Sequence, residues 1–194
     1  MEYVLDNPII FKYLREIEEE YNKVVNYIDV TDDWLKNATP NSHKVLDRNY
    51  YEYNGKIYKV EEDNKNVILD YTQDEKETAQ WIENVFGGEI YMNPKVNFPK
   101  NIETADYLWN KELWDKKGMK KSTSVKRSFD NAIKSHRNQT HNFIIDLTGS
   151  NLNDEIIVNQ VYNAFTKDSK FYRKWLEKVI IKRDNKLVKI IIKK

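Results

Sequence analysis

The apolar residues of this chain change their period several times along its length. From Pro8 to Ile28, Ile10, Tyr13, Leu14, Ile17, Tyr21, Val24, Val25 and Ile28 recur every three or four positions. Glu16, Glu18, Glu19 and Glu20 fall largely on the other side. That stripe predicts an amphipathic helix, with Asn7 as cap and Pro8 as its first position. Asp29 to Ser42 is polar and predicts a connector with one helical turn near Trp34. Between Tyr50 and Val60 the period drops to two around Asn54-Gly55, the strongest short hairpin signal. Val67 to Asp70 predicts a further short strand.

Beyond Thr72 longer elements begin. Asp74 to Phe86 reads as a helix, with Ala79, Ile82, Val85 and Phe86 on its apolar face and Gly87-Gly88 at its end. Thr72 and Glu75 have capping-box spacing. A strand at Glu89–Met92 and a loop at Asn93–Asn101, broken by Pro94 and Pro99, follow. Two strands, Thr104–Trp109 and Glu112–Lys117, flank a turn at Asn110-Lys111. Ser122, Thr123 or Ser124 caps an expected helix reaching His136. The most apolar strand is Asn142–Leu147. Asn153 caps a helix to about Phe165, and Lys178–Arg183 pairs with Leu187–Ile192 as a hairpin. The expected class is α+β: an αβββαβ core from Asp74 to Leu147 with a mixed sheet and a C-terminal hairpin. An N-terminal helix and a small β-element precede it.

Candidate chemistry lies in the two central strands. Side chains two apart in a strand share a face, so Asp115 and Lys117 point together, and Asp106 joins them across the hairpin. Two carboxylates that hold a divalent metal, beside a lysine, suit phosphodiester hydrolysis: the metal activates water and the lysine steadies developing charge. Oxygen ligands favour Mg²⁺ or Mn²⁺, with Asp106 and Asp115 as the metal ligands. The spacing resembles the PD-(D/E)XK nucleases, with Ala105-Asp106 in place of Pro-Asp. The element order is also that of their core, where an acid from the first helix joins the set. Glu75 occupies that position, with Glu77 as the fallback. The competing reading is a hairpin with a solvated charged edge, since 31 acidic and 32 basic residues make Asp-x-Lys pairs common.

Charge sharpens this picture. Residues 1–70 hold 9 Lys/Arg against 15 Asp/Glu, while residues 71–194 hold 23 against 16. A basic second part suits a polyanion. Lys116 to Arg137 contains eight basic residues and one acid, Asp130. Thr123, Arg127, Asn131 and Lys134 share a helical face there, and a helix start near Ser124 adds backbone donors for phosphate. Thr104, Lys120, Lys121, Arg127, Asn131 and Gln139 are the expected substrate-binding positions. Asp146, in the most apolar strand, reads as a buried polar link. Cysteine is absent, which excludes disulfides and thiolate chemistry. His43, His136 and His141 are the three histidines, and an acid–base pair from them is the alternative to metal. No Gly-rich phosphate loop, Ser/His/Asp order or zinc spacing is present. The opening Met1-Glu2-Tyr3-Val4-Leu5-Asp6 lacks the basic flank and apolar core of a signal peptide, and no apolar run is long enough for a spanning helix.

A further set of residues carries a more specific likeness. It comprises Glu75-x-x-x-Ala79, Gly87-Gly88-x-Ile90-Tyr91-x-x-Pro94-x-x-Asn97-x-Pro99, Thr104-Ala105-Asp106-Tyr107-Leu108, Trp114-Asp115-Lys116-Lys117, Asn131-Ala132-Ile133 and Gln139-x-x-Asn142-Phe143-Ile144-Ile145-Asp146. With these, residues 67–194 resemble the C-terminal tRNase domain of contact-dependent growth inhibition toxins, and the related nuclease-like domains of phage head-morphogenesis proteins. The resemblance implies a toxin-type RNase cutting tRNA, with an immunity protein or a phage structural protein as partner. It also implies a bacterial or phage-encoded protein acting in a cytoplasm, including that of a target cell into which it is delivered. Residues 67–194 are then the nuclease-like domain and residues 1–66 a helical arm with a small hairpin, serving delivery or immunity contact. Ala105 departs from the Thr-Pro-Asp that is usual there. Two alternatives stay open: a metal-free RNase of the barnase/RelE-like fold, and a non-catalytic virion or nucleic-acid-binding component.

Overall fold

In the computed structural model, residues 10, 12–17, 25–61, 65–119 and 125–194 are described. Strand β1 (Tyr27–Asp29) is followed by helix α1 (Thr31–Lys36), β2 (Val45–Asp47), β3 (Tyr50–Tyr53), β4 (Lys56–Lys59) and β5 (Val67–Ile68). Then come α2 (Gln73–Val85), β6 (Ile90–Met92), β7 (Lys95–Val96), β8 (Tyr107–Trp109) and β9 (Glu112–Gly118). A 3-10 turn (Val125–Arg127) leads into α3 (Ser128–Ile133), β10 (Asn142–Asp146), α4 (Asp154–Phe165), β11 (Lys178–Arg183) and β12 (Lys186–Lys193).

Eight strands form one mixed sheet in the order β1-β12-β11-β10-β9-β8-β6-β2. Central β10 runs parallel to both β9 and β11, and its five residues are all buried. Strand alternation divides the core. Phe143, Ile145, Val179 and Ile181 face Phe129, Ile133, Ile157, Val161 and Phe165 of α3 and α4. Ile144, Ile180 and Trp114 face Ala79, Ile82 and Phe86 of α2 and its end. Each sheet face is thus sealed by helices, which a strand apolar on both sides demands.

The α+β class and the order of elements from α2 to the final hairpin agree with the sequence. Thr72 and Glu75 form a reciprocal capping box, and Asn153 Oδ1 accepts the Glu155 N–H at 2.8 Å. The β3–β4 turn has positive φ at Asn54 and Gly55, which a two-residue hairpin of this twist requires.

Several expectations are corrected. Residues 12–17 are helical, but Ile28 is not on that helix. It lies in β1, which pairs antiparallel with β12, and neighbouring Tyr27 stacks on Tyr162 at 4.6 Å. Long-range pairing overrides the local stripe here. Asn7, Pro8, Tyr21 and Val24 lie outside the described residues. The strand expected over Thr104–Trp109 spans only Tyr107–Trp109. Lys95-Val96, expected as loop, pairs with β5. The helix expected to reach His136 is a 3-10 turn plus six residues, with no side-chain cap. Ser122, Thr123 and Ser124 lie outside the described residues. Finally, β1 and β2, both within residues 1–66, form the two outer edges of the main sheet. The expected division at residue 66 does not coincide with any break in it.

Candidate active site

Register brings the two aspartates together. In the β8–β9 hairpin Tyr107 opposes Trp114, so Asp106, one residue before β8, stands opposite Asp115. Both sit on the α3/α4 face, since Asp115 opposes Phe143 and Lys117 opposes Ile145 on β10. Lys117 forms an ion pair with Asp115 Oδ2. Asp106 Oδ2 accepts the Lys116 backbone N–H at 2.7 Å, which holds that carboxylate against β9.

The backbone around Asp106 is fixed from outside the sheet. Asn93 N–H donates to the Asp106 carbonyl at 2.9 Å, and Asn93 Nδ2 donates to the Ala105 carbonyl at 3.0 Å. The Ala105 N–H donates to the Tyr51 hydroxyl at 3.3 Å. Proline has no N–H, so alanine at this position permits a contact that the usual Thr-Pro-Asp forbids. Tyr51, on the small β3–β4 hairpin, is 1% exposed and packs with Val67 and Val96. That hairpin therefore buttresses the loop that delivers Asp106.

Electrostatics mark the pair as unusual. Burial first, then the charge of Asp115, then Glu75, push the Asp106 carboxyl up to about 8. Burial also raises Asp115, against the opposing pull of Lys117 and a hydrogen bond with Asp106. Two like charges desolvated at one place cannot both ionise cheaply. One lysine does not balance them, so the pair holds a proton at neutral pH. A divalent cation would replace that proton, and two hard oxygen donors fit Mg²⁺ or Mn²⁺, which complete their shells with water and phosphate. Among the described residues no group of three or more Asp, Glu or His side chains converges on a metal position.

The other expected site residues divide. Glu75 is close enough to raise Asp106, but its carboxylate caps α2 through the Thr72 N–H at 2.6 Å, and its carbonyl accepts the Tyr107 hydroxyl at 2.9 Å. Glu77 instead accepts from Gln73 at 3.1 Å on the α2 surface. Gln139 Oε1 lies 2.8 Å from His136 Nδ1, and the His136 charge is felt by Asp115. Thr104 is partly buried two residues before Asp106. Asn131 accepts from Lys134 at 3.2 Å on the exposed side of α3. Arg127 lies over the Phe171 ring, 5.7 Å from its centroid, so it packs locally against the 171 segment. Lys120 and Lys121 lie outside the described residues.

Sequence reasoning missed a second charged cluster on the opposite face. Lys116 Nζ pairs with Asp74, at the start of α2, and with Asp146 at 3.6 Å. Lys182 reaches Asp146 at 3.1 Å and lies over Trp81. Burial pushes Asp146 up, but hydrogen bonds from Thr148 and the charge of Lys182 outweigh it and hold the carboxyl below its usual range. The link expected at Asp146 thus joins β9, β10 and β11 to α2. In the sequence, the place of Asp146 in the most apolar strand and the alternation of Lys116 against Lys117 signal it.

Residues 103–187 match the family described as the contact-dependent growth inhibition CdiA C-terminal domain. That segment contains Asp106, Asp115, Lys117, His136 and Gln139, and spans less than half of the chain. No curated protein matches. Among solved structures, the CdiA-CT/CdiI toxin and immunity complex from Burkholderia pseudomallei is similar, at 19% identity and a TM-score of 0.44, covering 78% of this chain and 100% of that one.

Proposed function

We propose that the protein is a toxin-type nuclease, a metal-dependent endoribonuclease acting on tRNA, with its site at Asp106, Asp115 and Lys117. The observation that carries this reading is the facing Asp106–Asp115 pair beside a single lysine. A structural ion pair gains nothing from two carboxylates, Asp115 buried and Asp106 half-buried, that repel each other, whereas such strain is common where a group must bind and act. In this reading Asp106 and Asp115 hold Mg²⁺ or Mn²⁺, which supplies an activated water and neutralises phosphate charge. Lys117 stabilises charge building on the phosphate oxygens. The family match over residues 103–187 supports the toxin class, an immunity protein as partner, and action in the cytoplasm of a target cell. Among the described residues no helix is long and apolar enough to cross a membrane.

One observation favours a second reading. His136 lies where its charge reaches Asp115, so His136 and an aspartate form the acid–base pair of a metal-free ribonuclease. Cleavage of bulk tRNA and of duplex DNA, each with Mg²⁺ and with EDTA, separates the two. We expect Mg²⁺-dependent tRNA cutting that Asp115→Ala abolishes. Cutting that survives EDTA and fails in His136→Ala transfers the chemistry to His136. A folded protein that cuts neither substrate under any condition overturns both.

A further inference from the structure

Beside α4 an open groove of about 490 Å³ brings together residues far apart in the sequence. Lys126 and Arg127 come from the 3-10 turn, Asn159 and Asn163 from α4, and Lys170 and Phe171 from the segment after α4. Val125 and Ile156, 49% and 37% exposed, add apolar surface. Both walls are pinned. Gln160 of α4 donates from Nε2 to the Val125 carbonyl at 2.6 Å, and its Oε1 accepts the Phe129 N–H at 2.9 Å. That fixes the turn carrying Lys126 and Arg127. The Arg173 backbone N–H donates to the Ala164 carbonyl at 2.8 Å, and the Arg173 side chain pairs with Asp130. That fixes the segment carrying Lys170. The Arg127 guanidinium and the Lys170 ammonium lie 5.7 and 5.2 Å from the centre of the same Phe171 ring. Among the described residues no carboxylate lines the groove, and Asp130, in the small cavity beside it, is taken by Arg173. Three cations gathered without an anion repel one another, and a polyanion relieves that repulsion.

We propose that this groove holds the phosphate backbone of the RNA substrate beyond the point of cleavage. Helix α3 links the two places. Arg127 immediately precedes α3, and His136, whose charge reaches Asp115, follows three residues after its end. Six helical residues rise about 9 Å, so a strand lying along α3 from the carboxylate pair arrives at the groove within a few nucleotides. Lys126, Arg127 and Lys170 contact phosphates without reading sequence and so set the register of the strand. Asn159 and Asn163, one turn apart on the exposed side of α4, donate to ribose or phosphate oxygens. The link through α3 to the carboxylate pair favours RNA over an acidic protein, which needs no such link. This deepens the ribonuclease reading and rests on it for the choice of RNA over another polyanion.

The test is binding of a labelled 2′-O-methyl RNA of about twelve nucleotides to the full chain carrying Asp115→Ala, read by fluorescence anisotropy between about 50 and 200 mM salt. Lys126→Gln and Lys170→Gln are each expected to weaken binding about fivefold at about 100 mM salt, and to lower the slope of log affinity against log salt by about 0.7. Both side chains are exposed, so their replacement leaves the core intact. Lys56→Gln, equally exposed on β4, is the control and should change neither quantity. Equal losses in all three variants would reduce the effect to the general charge of the chain and overturn the groove. So would a slope that Lys126→Gln and Lys170→Gln leave unaltered. Polyglutamate stands in for an acidic protein: if it displaces the RNA at equal charge concentration, RNA is overturned as the occupant, and if it needs a large excess, RNA is supported. The readout is binding, so the groove can fail while tRNA is still cut. Groove-dependent binding by a chain whose wild-type form cuts nothing sinks the nuclease reading alone.

Discussion

Asp106 keeps its proton far above the usual carboxylate range because folding buries it opposite Asp115 and gives the pair only Lys117. The folded state therefore holds more protons than the unfolded chain between about pH 4 and pH 8. Its contribution to stability is greatest in acid and falls as pH rises through that window. Asp106→Asn removes the repulsion and retains an oxygen for the Lys116 N–H. We expect this variant to raise Tm by about 3 °C at pH 8, corresponding to roughly 1 kcal/mol, with the gain vanishing towards pH 4. Thermal melts of both proteins across that range check it. A gain that stays constant with pH would place the effect elsewhere than in the carboxyl pair. The same substitution should reduce cleavage at least about a hundredfold, since sites tuned for chemistry sacrifice stability. Lys117→Met should show a similar loss of cleavage, read by single-turnover cutting of tRNA, and should move proton uptake by the carboxyl pair to higher pH, because the Lys117 charge pulls both carboxyls down.

At the level of elements, the β8–β9 hairpin is the device that juxtaposes the carboxylates, and its turn is not ideal. Asn110 and Lys111 both have positive φ, at 48° and 68°. Lysine pays a steric cost in that region that glycine does not. Lys111→Gly is therefore expected to stabilise the chain by about 0.5–1 kcal/mol, seen as a higher urea midpoint with an unchanged slope. An unchanged or lower midpoint would mean that the Lys111 side chain compensates for its backbone. This turn was legible in the sequence, as were the Asn54-Gly55 turn, the Thr72/Glu75 box and the Asn153 cap, because each is decided by residues within a few positions of one another. The facing of Asp106 and Asp115 was legible for the same reason: hairpin register follows from turn length. Edge strands β1 and β2 were not legible. Three residues each, they are strands only because β12 and β6 offer open edges, and Ile28 continues a helical stripe in the sequence. Nor was the Lys116–Asp146–Lys182–Asp74 cluster, whose members lie on four separate elements.

Across the whole molecule, the chain's first part closes the sheet that carries the site. β1 covers the edge of β12, and β2 covers that of β6. Asp47, on β2, accepts a hydrogen bond from Tyr71 at the entry to α2, and Tyr51 of β3 holds the loop before Asp106. Trp34 of α1 packs edge-on against Phe86, Trp109 and Trp114. A chain cut to residues 67–194 would expose two apolar sheet edges, a hazard for aggregation, and would lose Tyr51 and Trp34 from the core. It would also lose the β12–β1 pairing that buries Tyr27 against Tyr162 and Phe165. We therefore expect residues 67–194 alone to be insoluble, or to melt at least about 10 °C below the full chain, consistent with a loss of several kcal/mol of packing. A chain beginning at residue 25 retains all of these contacts and is expected to melt within a few degrees of full length. Circular dichroism melts of the two truncations decide the matter. Cooperative unfolding of 67–194 at the full-length Tm would make residues 1–66 a separable arm after all, and would free the proposed nuclease domain from any dependence on Tyr51.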